Sequence, residues 1–153
     1  MPAKVGDQAP DATVFKYPRE PVKLSDFRGG KHLLLFFPLA FSSTCTTEMC
    51  TMAEDYSRYE KLGVTVIGLS VDSPYTNQKF AESCNAAFPI LSDFNKEASE
   101  AYGVLRPALG DLKGVSERAA FVVDEGGRIT YAWVGENPGV LPNFDEIEAA
   151  LSA

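Results

Sequence analysis

Phe36-Phe37-Pro38-Leu39-Ala40-Phe41-Ser42-Ser43-Thr44-Cys45-Thr46-Thr47-Glu48-Met49-Cys50 carries the chain from an apolar run, through a proline and small hydroxylated residues, into a helical pattern that a cysteine opens. Upstream, residues 33–37 are unbroken Leu and Phe, the composition of a central strand buried on both faces. Pro38 ends that strand because it has no N–H for a sheet ladder. From Cys45 the apolar residues take helical spacing. Met49, Met52, Tyr56 and Tyr59 share one stripe with Cys45, Glu48, Glu54, Asp55 and Glu60 fall on other faces, and Gly63 stops the helix. Residues 64–71 form a second buried strand. Strand, helix and strand over this distance make a βαβ unit, with parallel strands and a right-handed crossover.

Farther out, residues 1–30 read as a lead-in containing a short strand at 11–15 and one helical turn at Ser25-Asp26-Phe27. His32 falls in the loop before the first strong strand and reads as a surface residue without a role. Beyond the βαβ unit, Ser73-Pro74 starts a helix running to about Cys84. Residues 88–91 form a short edge strand, and 96–102 a helix ended by Gly103. Residues 104–116, with Pro107, Gly110 and Gly114, read as loop. Residues 119–123 and 128–134 flank Asp124-Glu125-Gly126-Gly127, a hairpin signal. A last helix begins near Asn143. With no repeat, linker or low-complexity tract, residues 1–153 read as one α/β domain with a mixed central sheet flanked by helices.

Composition narrows the function. The chain holds 21 acidic and 14 basic residues, net charge -7, with no Lys/Arg cluster, which argues against nucleic acid or an anionic membrane as partner. No apolar run reaches membrane-spanning length, and the start lacks a basic-then-apolar signal pattern, so a cytoplasmic location is expected. Three cysteines, Cys45, Cys50 and Cys84, are too few for a secreted disulfide framework. With one histidine there is no Cys/His pairing at zinc spacing, so no metal is expected. Redox chemistry is the economical use for the thiols. A thiol at a helix N-terminus meets unpaired amide N–H groups and partial positive charge, both of which favour thiolate.

Pro38-x-x-x-Ser42-x-x-Cys45 resembles the active-site pattern of the peroxiredoxin family, in which a threonine or serine stands three residues before the peroxidatic cysteine. The likeness extends over nearly the whole chain. Gly6-Asp7-Gln8-Ala9-Pro10-Asp11, Leu24-Ser25-Asp26-Phe27-Arg28-Gly29, Phe88-Pro89-Ile90-Leu91-Ser92-Asp93, Ala101-Tyr102-Gly103-Val104 and Arg118-Ala119-Ala120-Phe121-Val122-Val123-Asp124 follow in the family's order. Within the family it resembles most the bacterioferritin-comigratory (Q-type) branch, with some likeness to the alkyl hydroperoxide reductase E group. The resemblance implies a thioredoxin-like fold with an N-terminal extension. It also implies a thiol-dependent peroxidase that reduces hydrogen peroxide and organic hydroperoxides and is recycled by thioredoxin or a similar thiol donor.

The resemblance assigns Cys45 as peroxidatic, with Arg118 as the cation that favours its thiolate, Ser42 as the hydroxyl that positions thiolate or peroxide, and Pro38 as the shield of the pocket. Ser42 replaces the commoner threonine and lacks its stiffening methyl. Glu48, one turn beyond Cys45, is placed to orient Arg118, and Arg106 is the competing cation. Backbone N–H groups near Cys45 can bind charge developing on the peroxide oxygens. For resolution of the sulfenic acid, the Q-type likeness points first to Cys50 on the same helix, with Cys84 as the alternative and a one-cysteine cycle third. In an intact helix, residues five apart have Cα atoms about 8–9 Å apart. A disulfide needs no more than about 7 Å, so a Cys45–Cys50 bond requires the first turns to unwind. No cofactor is implied, since flavin and nicotinamide enter only through upstream reductases. A monomer is expected, with a homodimer through the active-site loops as the other arrangement. The rival readings are a disulfide oxidoreductase of thioredoxin type, for which Cys-x-x-x-x-Cys has the wrong spacing, and a peroxide-sensing module without turnover.

Overall fold

The computed structural model describes residues 1–152. Its centre is the expected βαβ unit: β3 (His32–Phe36), α1 (Ser43–Lys61) and β4 (Thr65–Ser70), with β3 and β4 parallel from His32↔Thr65 to Phe36↔Leu69. A seven-stranded sheet grows from it in the order β2-β1-β5-β4-β3-β8-β9. β8 (Ala119–Val123) runs antiparallel to β3, and β9 (Ile129–Val134) antiparallel to β8, closing the hairpin expected around Gly126-Gly127.

Alternation along β3 explains why its sequence is continuously apolar. Leu33, Leu35 and Phe37 face one core with Cys45, Met49, Met52, Phe80 and Ile147, beneath α1, α2 (Pro74–Ser83) and α4 (Phe144–Ser152). Leu34 and Phe36 face the other, with Val14, Ala98, Tyr102, Phe121 and Ile129, on the side of α3 (Glu97–Ala101) and the N-terminal segment. Helix starts match their caps. Ser73 Oγ accepts from Thr76 N with Pro74 at the first position, and Asn143 Oδ1 accepts from the amides of Asp145 and Glu146.

Several expectations are corrected. β5 (Ile90–Ser92) is interior, not an edge strand. β1 (Thr13–Lys16) and β2 (Glu20–Lys23) form a hairpin that lies against its outer side through Phe15↔Ser92. Residues 104–116 are not loop but a separate two-stranded ribbon, β6 (Leu105–Leu109) and β7 (Leu112–Ser116). Its turn is Gly110-Asp111, with Gly110 at φ 61°, a conformation glycine adopts without steric cost. His32 is not a surface residue. It opens β3 at 3% exposure, and burial holds its imidazole below the usual histidine range. Glu48 does not fall on a face apart from the Cys45 stripe with Glu54, Asp55 and Glu60; it is wholly buried on the same side of α1 as Cys45 and Met49.

Candidate active site

Four elements converge on Cys45. α1 begins at Ser43 with Ser42 as N-cap, which makes Cys45 the third helical residue. The first intrahelical bond is Thr46 N to Ser42 O, 2.8 Å. The amides of Ser43, Thr44 and Cys45 therefore lie in the part of the helix that has no intrahelical acceptor. Cys45 is a free thiol, fully buried.

Arg118 enters from the residue before β8 and is 2% exposed. Its guanidinium is held on three sides. Nη2 donates to Cys45 Sγ at 3.0 Å, Nη1 to Glu48 Oε1 at 2.7 Å, and Nε to the Pro138 carbonyl at 3.0 Å. The planar fork thus aims one donor at the sulfur while two others fix its orientation. Arg106, the competing cation, is engaged elsewhere, with Glu117 at 3.0 Å and the Ala108 carbonyl.

Glu48 and Cys45 are three residues apart on one face of α1 and share this arginine. One positive charge cannot neutralise a carboxylate and a thiolate together in a site closed to water. Burial pushes the Glu48 carboxyl up to about 7, against the opposing pull of Arg118. Its second oxygen, Oε2, has no partner among the described residues. In the unfolded chain the group titrates near the ordinary 4.5. Between these values the folded protein holds a proton that the unfolded chain releases, so stability falls as pH rises through the window and levels off above it. The slope from this one group reaches at most about 1.4 kcal/mol per pH unit. Glu48→Gln is expected to remove it. Urea unfolding of both proteins from pH 5 to 8 measures the difference, and parallel profiles would contradict the assignment.

The loop between β3 and α1 is pinned from below. Pro38 is buried, and Ala40 N donates to Asp72 Oδ2 at 2.7 Å, which also accepts from Ser70 Oγ at 2.7 Å. Phe41, at φ 67°, holds a left-handed conformation costly for a bulky residue, and its ring packs on Phe80 with centroids 5.1 Å apart. Asp72→Ala would leave the Ala40 amide without its acceptor, a loss of about 1–3 kcal/mol. At about 2–4 °C per kcal/mol for a chain of this size, thermal melting would register it.

Ser42 precedes the thiol by three residues, but its Oγ donates to the Leu39 carbonyl at 2.8 Å and is not bonded to Cys45. With its proton committed there, the hydroxyl oxygen remains available as an acceptor. A depression of about 230 Å³ lined by Ser43, Thr44, Thr47, Gly139 and Leu141 flanks the helix start. A wider apolar hollow bordered by Phe15, Pro74, Tyr75 and Phe94 contains none of the site residues. Among the described residues no group of three His, Cys, Asp or Glu could hold a metal ion.

Cys50, half-buried on α1, is disulfide-bonded to Cys84 at the C-cap of α2, with Cα atoms 4.8 Å apart. The two thiols weighed against each other as partners for Cys45 are joined to one another. The positions that sequence reasoning missed are Asp72 and Pro138. Asp72 had a weak signal, as the acidic residue before a Ser-Pro helix start. Pro138 acts through its backbone carbonyl, which no side-chain pattern announces.

The AhpC/TSA family model matches residues 5–132. The chain belongs to that family. It is similar to a putative peroxiredoxin, bcp, of Haemophilus influenzae, 35% identical over 130 residues and covering 84% of each chain. It also resembles the chloroplastic 2-Cys peroxiredoxin of Spinacia oleracea at 35% identity, where the match takes 97% of this chain and 58% of that one. Among solved structures, a peroxiredoxin-like protein from Aquifex aeolicus superposes with a TM-score of 0.89 at 30% identity, covering 99% of this chain and 88% of that one. The protein is a peroxiredoxin, and its family reduces peroxides at the expense of thiols. The thioredoxin-like architecture expected from the motifs holds. No helix among the described residues is long and apolar enough to cross a membrane.

Proposed function

We propose that this chain reduces hydrogen peroxide and small organic hydroperoxides at Cys45, acting as one domain over residues 1–153. The observation that carries the assignment is the 3.0 Å contact from Arg118 Nη2 to Cys45 Sγ at the open N-terminus of α1. The Cys45 thiolate attacks the nearer peroxide oxygen in line with the O–O bond. An S–O bond forms, the O–O bond breaks, and the departing oxygen takes a proton to leave as water or alcohol. Arg118 and the free amides of the first turn stabilise negative charge at the sulfur and then at the oxygens. The Ser42 oxygen accepts from the peroxide O–H, and Pro38 packs under the pocket and limits water.

Cys50 is the resolving thiol in this reading. Its bond with Cys45 requires the first turns of α1 to open, a local unfolding that starts at a helix end. A thioredoxin-type dithiol protein in the cytoplasm returns the electrons, and the enzyme works as a monomer or homodimer. Peroxide consumption coupled to a thioredoxin system tests the whole cycle. Sustained turnover is expected; none under conditions where the reductase system is active would defeat the reading.

A further inference from the structure

The bond between Cys50 and Cys84 coexists with an intact active site. α1 is continuous from Ser43 to Lys61, Cys45 is a free buried thiol, and Arg118 remains bonded to it. A Cys45–Cys50 bond has no such compatibility, because helical residues five apart stand about 8–9 Å apart at Cα. Cys84 is well placed to receive Cys50. It caps the C-terminus of α2 at 8% exposure, held by bonds from its amide to Phe80 O and Ala81 O, and packs in the same core as Cys45 and Met49.

Resting on the assignment of Cys45 above, we propose that Cys84 is a third catalytic thiol that takes the disulfide from Cys45–Cys50, so that Cys45 is regenerated before any external reductant arrives. The Cys50 thiolate first attacks Sγ of the Cys45 sulfenic acid. An S–S bond forms, the S–O bond breaks, and hydroxide leaves as water with a proton from the medium. The Cys84 thiolate then attacks Cys50 Sγ. The Cys50–Cys84 bond forms, the Cys45–Cys50 bond breaks, and Cys45 departs as thiolate. Across both steps Cys50 and Cys84 together lose the two electrons that peroxide gained.

Direction comes from the site itself. Thiol–disulfide exchange favours expulsion of the sulfur whose thiolate is best stabilised, and Cys45 is the one that returns to Arg118 and a helix N-terminus. Its departure also allows α1 to rewind, recovering the Thr46 N to Ser42 O bond and burial of Cys45. The reductant therefore meets a folded enzyme whose disulfide lies between α1 and α2, and the half-buried Cys50 is the sulfur it attacks.

Thiol accounting tests the relay. Fully reduced wild-type protein, freed of reductant, receives one equivalent of hydrogen peroxide, is alkylated and is mapped by mass spectrometry. The expected product is a Cys50–Cys84 crosslink with an alkylated Cys45, and a second equivalent given with dimedone labels Cys45. Cys84→Ser is expected to stop at Cys45–Cys50 with no alkylatable Cys45. A wild-type product that is Cys45–Cys50 with Cys84 free, or a Cys45–Cys84 link, overturns the relay. So does a Cys50–Cys84 bond that forms equally fast in Cys45→Ser, or that survives the dithiol sustaining turnover. Failure of the parent assignment looks different: the Cys50→Ser/Cys84→Ser double variant would then yield no dimedone adduct at Cys45.

Discussion

Arg118→Met is expected to lower kcat/KM for peroxide by about 10²–10³-fold, the usual consequence of losing one preorganised donor to developing charge. The substitution keeps most of the side-chain volume but removes the bonds to Cys45 Sγ, Glu48 Oε1 and the Pro138 carbonyl together. It also leaves Glu48 wholly buried beside no cation. Removing one partner of a buried pair costs about 3–5 kcal/mol when the other charge stays ionised. Here the loss falls toward low pH, because the Glu48 carboxyl is already raised to about 7 and protonates readily. The double variant Arg118→Met/Glu48→Gln separates the two effects. Its stability is expected to recover relative to Arg118→Met while its rate does not. Recovery of the rate as well would show that Arg118 acts on the fold rather than on the sulfur.

Cys45→Ser carries the larger effect on activity. Replacing the proposed nucleophile is expected to cut peroxide turnover by at least about 10⁴-fold, as in other enzymes stripped of theirs. The hydroxyl is a poor substitute because serine is almost wholly protonated at neutral pH and its oxygen cannot hold a second oxygen as a stable sulfenic acid does. The fold should tolerate the change, since a small polar group replaces a small thiol that keeps the Arg118 donor as a partner. Turnover in the coupled assay, with melting temperature as the control, measures this. Retained turnover would move the chemistry to Cys50 or Cys84.

The site behind these predictions is partly legible in the sequence. The run at residues 33–37 announced β3 because a strand covered on both faces needs no polar alternation. The stripe through Cys45, Met49, Met52 and Tyr59 announced α1 for the complementary reason, and all four are buried. Arg118 and Glu48 were readable as partners of Cys45 from motif order and helical spacing, but the depth of Glu48 was not. Its charge groups it with Glu54, Asp55 and Glu60 on other faces of the helix, and only the reach of Arg118 to Oε1 accounts for a carboxyl at full burial. Non-local pairings were the least legible. β5 became interior only because the β1–β2 hairpin folds back onto it through Phe15 and Ser92. The β6–β7 ribbon was hidden by Pro107 and Gly114, residues that weaken a strand pattern without forbidding an isolated hairpin. Its Gly110-Asp111 turn was a signal left unread. The Cys50–Cys84 bond joins residues 34 apart on two different helices, a register that spacing along the chain does not encode.

The chemistry of the whole reading turns on which sulfur meets the peroxide. The Cys50→Ser/Cys84→Ser double variant keeps Cys45 with no thiol able to resolve it. Treated with one equivalent of hydrogen peroxide in the presence of dimedone and mapped by mass spectrometry, it is expected to carry the label on the Cys45 peptide within the first turnover. An unlabelled Cys45 with unconsumed peroxide would contradict the account.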